Sequence, residues 1–329
     1  MLLLLVMMSG NVVAQNHKAP APMFRDPVTD GAADPVIFYN RSEKAWWVLY
    51  TQRRANSETA DVAYCYGNAI GVAESKDNGA TWYYRGTLDL DFEHGHNTFW
   101  APDVIYHKGK YHLFVTYIRG VRNHWSGEAQ MLHYTSKNGW DWKYCGPLDF
   151  GEKDFIDISL CQDENGLWHA WYKKDDKTNI HTTESRDLKH WTPWRPAKME
   201  GICEGPKVFR FAGYYWMLTD EWHGMRVYRS SDMDVWERQG LILEDATSRP
   251  DDRPSGAHGD VVVVDGRAYV VYFTHPARKA HLMAEMNSFG NYSYEDRRSS
   301  LECGQLIFED GTLKCLRTDF DFYLPDLDK

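Results

Sequence analysis

This 329-residue chain lacks cysteine pairs with metal-binding or redox spacing. Its six cysteines (Cys65, Cys145, Cys161, Cys203, Cys303 and Cys315) include no C-x-x-C. Spread this thinly, they read as small buried hydrophobes rather than a disulfide framework. Basic residues are in the minority, 37 Lys and Arg against 47 Asp and Glu, for a net charge of −10. Nucleic acid asks for a basic face and an anionic membrane surface for basic clusters, so neither partner is expected. Past the first residues no stretch approaches ~18 consecutive apolar residues, so no spanning helix is expected. Long helical periodicity is also missing.

What the chain has in quantity is aromatic rings. Its 14 Trp, 20 Tyr and 14 Phe make up 15% of the residues. That load excludes disorder. It suits a β-rich protein that handles an uncharged, ring-shaped ligand. At the start, Leu2 to Met8 is unbroken apolar sequence, followed by Ser9, Gly10 and Asn11 and then Val12-Val13-Ala14. Small residues placed this way before Gln15 read as a secretory leader over residues 1–14 without its basic n-region, which puts the protein in the periplasm or outside the cell.

One segment type recurs five times. An opening of small residues, Asp or Pro leads to a β run, a turn, and an aromatic β run. Asp34-Pro35-Val36-Ile37-Phe38 leads to Trp46-Trp47-Val48-Leu49-Tyr50, and Trp100-Ala101-Pro102-Asp103-Val104 to Tyr111-His112-Leu113-Phe114-Val115. Ile156-Asp157-Ile158-Ser159-Leu160 leads to Trp168-His169-Ala170-Trp171-Tyr172. Glu204-Gly205-Pro206-Lys207-Val208 leads to Tyr214-Tyr215-Trp216-Met217-Leu218, and His258-Gly259-Asp260-Val261 to Tyr269-Val270-Val271-Tyr272. Gly and Asn in the turns supply the positive φ of tight hairpins. Four of the five units continue with a Ser and then a Trp six or seven residues on: Ser75 and Trp82, Ser136 and Trp142, Ser185 and Trp191, Ser230 and Trp236. About four short strands per unit is the size of a propeller blade. The expected fold is an all-β, five-bladed β-propeller, a single domain over residues 15–329. Its closing hairpin, Gln305 to Leu316, is expected to share a blade with an N-terminal strand and so remove an open edge.

In a propeller the innermost strand of each blade lines the central channel, and the starts of those strands meet at one mouth. Three carboxylates occupy such starts: Asp34, Asp157 and Glu204. Singly, each reads as a turn cap or a solvated acid. Together they are costly to assemble and mark a functional site. Paired carboxylates across a sugar ring are what glycoside hydrolysis needs, one giving a proton and one activating water. A third nearby raises the donor's pKa by repulsion.

On these motifs, namely Ala33-Asp34-Pro35, Trp100-Ala101-Pro102-Asp103, Ile156-Asp157-Ile158-Ser159, Glu204-Gly205-Pro206 and Gly256-Ala257-His258-Gly259, the chain resembles the five-bladed propellers of glycoside hydrolase family 43. The resemblance implies Asp34 as general base, Glu204 as general acid, and Asp157 as the residue that tunes the acid and orients the sugar. It implies an inverting, exo-acting hydrolase of plant or algal oligosaccharides, of arabinofuranosidase or xylosidase type, with an oligosaccharide as its partner. The carboxyl groups of Asp34 and Glu204 are then expected roughly 6.5–9.5 Å apart. The sequence departs from the family pattern in having Ile158 after Asp157, where Pro is usual, and Ala257 between Gly256 and His258. No catalytic cofactor is implied. In relatives the blade-five His lies near a central ion or water, the ion often taken to be calcium. A structural calcium in the channel, held near His258 through a water, is therefore an expectation.

His96, before Trp100, and Trp222-His223, after blade four, fall where loops roof the mouth. The histidines are candidates to bond sugar hydroxyls, and Trp100 and Trp222 to stack on a sugar face; His258 joins them as a substrate-binding candidate. Arg53, Arg54 and His275 are a conceivable match for a substrate carboxylate, while Lys207 reads as a solvated strand residue. Two other classes compete. One is a relative that cleaves 3,6-anhydro-L-galactose from red-algal oligosaccharides using a His acid; here Cys203 precedes Glu204, which favours the Glu. The other is a carbohydrate-binding propeller that has lost catalysis. A six-bladed sialidase, suggested by the Asp-box pattern from Ser75 to Trp82, disagrees with the repeat count.

Overall fold

The computed structural model describes residues 17–174, 180–282 and 286–328. The expected leader, residues 1–14, lies outside them. The described strands form five four-stranded antiparallel sheets and one two-stranded ribbon. Each of the five sheets is one repeat unit in chain order, so the blade reading holds. The innermost strands are Ala32–Asn40, Thr98–His107, Phe155–Gln162, Glu204–Phe211 and Ala257–Val264.

The aromatic second strands explain the assembly. In Ala45–Gln52 every residue is buried. Side chains alternate between the two faces of a strand, and both faces here meet a neighbouring blade. Trp46, Val48 and Tyr50 pack with Tyr269, Val271 and Phe273 of blade five. Trp47 and Leu49, on the other face, pack with Leu113 and Val115 of blade two. The same division recurs in Trp216 and Leu218, which pack with Val270 and Tyr272. A strand sandwiched in this way reads as a continuous apolar run. The outermost strands, such as Tyr83–Thr87, are exposed on alternate residues.

The Ser-to-Trp segments are the outer hairpin turns. Ser75, Ser136, Ser185 and Ser230 each bond the Asp or Asn two residues on, at 2.8–3.2 Å. Each hydroxyl also accepts the backbone N–H that turns the chain, at Gly79, Gly139, Leu188 and Met233.

Closure differs from expectation. Blade five is built from Ala257–Val264, Arg267–Thr274, Ser300–Glu309 and Thr312–Leu316, with no N-terminal strand. The N-terminal segment instead pairs His17–Lys18 with Asp321–Phe322 outside the blades. A bridge between Phe24 and Leu301 carries it past blade five. The chain ends are clasped without strand exchange because blade five already has four strands of its own. The cysteines form no disulfide among the described residues. Cys65, Cys203 and Cys303 are buried as read, but Cys145 is exposed.

Candidate active site

Every innermost strand carries an irregularity at its start. The pairing register slips between Ala33 and Val36, Trp100 and Asp103, Ile156 and Ser159, Glu204 and Lys207, and Ala257 and Asp260. A bulge bends the strand and re-aims one side chain. Within it, Asp34, Ala101, Asp157 and Gly205 have positive φ, from 44° to 56°. Three of these four are not glycine, and such strain is held only where the surroundings enforce it. Asp34 and Asp157 thus occupy the same position in blades one and three. Glu204 sits one residue earlier, at the position of Trp100 and Ile156. Gly205 takes the bulge position in blade four, because a Cβ there would meet the His258 ring at 2.6 Å.

The mouth so formed is a cavity of about 380 Å³, within the range of small-ligand pockets. Asp34, Asp157, Glu204, Trp100, Trp222 and His258 all line it. His96 and His223 do not line it. His96 donates from Nε2 to the Gly67 carbonyl (2.9 Å), and His223 from Nδ1 to the Glu221 carbonyl (2.6 Å). Their loops need those bonds to satisfy backbone, so the two rings point to local turns. Arg54 likewise ties the carbonyls of Tyr66 and Ala63.

The four acids of the cavity have different surroundings. Asp34 is buried, which alone would raise its pKa. The Arg53 guanidinium, 3.2 Å away, and His258, with Nδ1 at 3.5 Å, overcome that and hold its carboxyl well below the usual range. Burial lifts Asp157 to about 6, with Glu204 adding to the rise and His258 opposing it. Glu204 accepts from Lys173 Nζ at 2.6 Å and from the Trp222 indole N–H at 2.9 Å. Trp222 therefore orients the acid as well as walling the pocket. Trp100 is fixed by its own indole N–H on the Cys65 carbonyl (2.6 Å) and edge contacts to Tyr66 and Trp125.

The fourth acid, Asp220, is one that the repeat pattern alone does not single out. It ends the second strand of blade four, directly across from Glu204. It accepts the backbone N–H groups of Trp222 (2.6 Å) and His258 (2.9 Å). Burial, followed by the charge of Glu204, pushes it up to about 7. The matching positions in blades one and two, opposite Ala33 and Trp100, hold Thr51 and Thr116. Blades three and five hold Lys173 and Phe273 there, so register points to the position without singling out an acid. Burial disfavours His258 as a cation, but Asp34, Asp157 and Asp220 outweigh it and raise the imidazole to about 9.

Two residues deeper along the strands, the axis departs from expectation. Lys207 is not solvated. Its Nζ lies 3.0 Å from Asp103 and 2.6 Å from Asp260, in blades two and five. The remaining oxygens of those acids accept the Leu160 and Ile37 N–H groups, at 2.9 and 2.7 Å. An ammonium thus already sits among the axial carboxylates. Calcium takes oxygen ligands, but of the carboxylates around His258, Asp34 is held by Arg53 and His258, Asp220 accepts two backbone N–H groups and Asp157 one. Among the described residues no cluster of three or more His, Cys, Asp or Glu could hold a metal ion. The residues around His258 do not fit the expected calcium.

The sequence profile of glycosyl hydrolases family 43 matches residues 85–285, more than half of the chain. Among curated proteins none matches. Similar solved structures include a thermostable family-43 glycoside hydrolase, with a TM-score of 0.66 and 21% identity, covering 90% of this chain and 98% of that one. A β-xylosidase/α-arabinofuranosidase from a compost microbial metagenome, in complex with xylotriose, gives 0.66 and 13%, covering 91% and 97%. An exo-1,5-α-L-arabinanase from a bovine ruminal metagenomic library gives 0.59 and 16%, covering 90% and 100%. At these identities the structural likeness is one of fold. With five blades, acids gathered at the axial mouth and the profile match across the middle of the chain, this protein belongs to glycosyl hydrolase family 43 and is a glycoside hydrolase.

Proposed function

We propose that the enzyme removes terminal pentose or related sugars from plant or algal oligosaccharides with inversion at the anomeric carbon. The observation that carries this is the convergence of Asp34, Asp157, Glu204 and Asp220 on one cavity of about 380 Å³. Its modest volume supports exo action, on a chain end rather than mid-polymer. The solved xylosidase and arabinanase neighbours support the pentose class.

Asp34 is the general base. Arg53 and His258 keep it ionised at every working pH, at the expense of basicity. Proton transfer to it comes late, when bonding to an oxocarbenium-like carbon has made the water acidic. Glu204 is the general acid, aimed by Trp222 and Lys173. Both Glu204 oxygens accept in the resting site, so the proton it gives to the leaving oxygen is supplied by its cross-strand neighbour Asp220, which holds one near neutrality. Asp157 accepts the Gly205 N–H at 3.3 Å, and its other oxygen is left for a sugar hydroxyl. Trp100 offers an apolar wall to the ring. The apolar run ahead of Gln15 supports export, to the periplasm or the medium.

A release assay on xylo-, arabino- and galacto-oligosaccharides, followed by proton NMR, tests the reading. The expected first product is the anomer opposite to the substrate's. Retention of configuration, or no release from any glycan, contradicts it.

A further inference from the structure

The cavity holds more positive charge than a neutral sugar needs. Arg53 is paired with Asp34 and Lys173 with Glu204, and His258 faces Asp34. Arg278 also lines the cavity, half-buried, and among the described residues no carboxylate pairs with it. Its Nε donates to the Asp296 carbonyl (2.7 Å), one terminal nitrogen to the His281 carbonyl (2.7 Å), and the other to the Tyr64 hydroxyl (2.8 Å). All three acceptors are neutral.

A guanidinium has five N–H groups, so one on each terminal nitrogen is left over. Bracing the loop explains the three bonds made and leaves the charge unanswered. Among the described residues its neighbours do not answer it. His275 and His281 line the same wall, and burial, reinforced by the charges of Arg278 and Arg53, keeps both neutral. A partly desolvated cation without a counter-ion is expensive to hold. A planar fork with spare donors is the group that matches a carboxylate or sulfate.

The position is informative. Tyr64, which accepts from Arg278, lies beside Arg53 in the wall, and Arg53 holds Asp34. Arg278 therefore belongs to the side of the cavity that carries the base, across from Glu204 and Trp222. A group bound there sits on the sugar whose anomeric carbon is attacked, rather than on the leaving group.

We propose that Arg278 binds an oxyanion substituent, a carboxylate or a sulfate, on the terminal sugar, so that acidic oligosaccharides are preferred substrates. The proposal rests on the glycosidase reading, and it can fail separately from it. Binding is measured by calorimetry on the full chain carrying Glu204→Gln, with glucuronate, galacturonate and galactose 6-sulfate against xylose, arabinose and galactose. At least one acidic sugar should bind roughly ten- to a hundredfold more tightly than the neutral sugars, and added salt should weaken it. Whichever acidic sugar binds identifies the oxyanion. Adding Arg278→Gln should collapse the acidic-to-neutral ratio towards one, and Arg278→Lys should restore part of it. Equal binding of acidic and neutral sugars, or a preference that survives Arg278→Gln, overturns the proposal. If neither variant folds, the parent's preference and its salt dependence decide alone. Release of neutral sugars without any acidic preference would leave the glycosidase reading standing and remove this one. Acidic preference without turnover of any glycan would do the reverse.

Discussion

Two layers of the axial channel lie a few residues apart on the same five strands, and they handle charge in opposite ways. In the deeper layer Asp103 and Asp260 share Lys207, and their other oxygens cap backbone of the next blade. Every group there has its partner, and nothing is left for a ligand. In the outer layer Asp157 and Asp220 are lifted to about 6 and about 7, and the acids face open volume. The same strand geometry thus makes a structural hub in which the acids share one lysine, and an outer site in which Asp34 and Glu204 pair with Arg53 and Lys173 while Asp157 and Asp220 make no ion pair among the described residues. Burial raises Asp260 in the hub as well, but it faces Lys207; perturbed acids that face a cleft are the ones that mark chemistry.

Substitutions should separate the two layers. The largest effect is expected in the outer one: Glu204→Gln should lower kcat on natural oligosaccharides by roughly 10²–10⁴-fold, with a thermal midpoint near that of the parent. In the deeper layer Lys207→Met strands two buried carboxylates. It should cost roughly 3–5 kcal/mol of stability, read by denaturant unfolding, while the pH optimum of the surviving enzyme stays in place. Exchange of these outcomes, stability lost with Glu204 and pH profile with Lys207, would break the comparison.

The pH dependence sharpens it further. Asp157 and Asp220 have folded pKa values raised above the ordinary carboxylate value, so their stabilisation is complete below that value and fades as pH rises through about 6 and about 7. His258 is raised to about 9, so its contribution is complete below the ordinary imidazole value and is lost as pH rises through about 9. Asp34 is depressed, and its contribution disappears only in acid. The thermal midpoint should therefore fall from mildly acid pH towards 9, and activity should fall with it as the proton leaves the cluster. In Asp220→Asn the fall near 7 should vanish, while the fall through about 6 from Asp157 and the later one near 9, from His258 and the buried Glu302, persist. The smallest effect belongs to the rim: Ser230→Ala, which removes an outer-turn bond, should cost about 1 kcal/mol and leave activity alone.

Much of this is legible in the residues. Period-2 aromatic strands, turn glycines and the Ser-to-Trp segments define the five blades, because each arises within one hairpin. Asp34, Asp157 and Glu204 are legible through their place in that repeat. What escapes depends on contacts between blades. Lys207 looks like any strand lysine until two acids from blades two and five are set beside it. Register opposite Glu204 points to the position of Asp220 without singling out its acid. His96 and His223 mislead because a loop histidine can satisfy its own backbone as readily as face a ligand. The closure misleads because four C-terminal strands already complete blade five.

The division of labour between Asp34 and Glu204 is tested most directly by leaving-group dependence. Steady-state rates would be compared for Glu204→Gln and Asp34→Asn on a natural oligosaccharide and on an aryl glycoside with an acidic phenol. A good leaving group needs no proton, so Glu204→Gln should recover most of its rate on the aryl substrate while Asp34→Asn stays slow on both. Equal impairment of the two variants on the aryl substrate, or rescue of Asp34→Asn alone, would contradict the account.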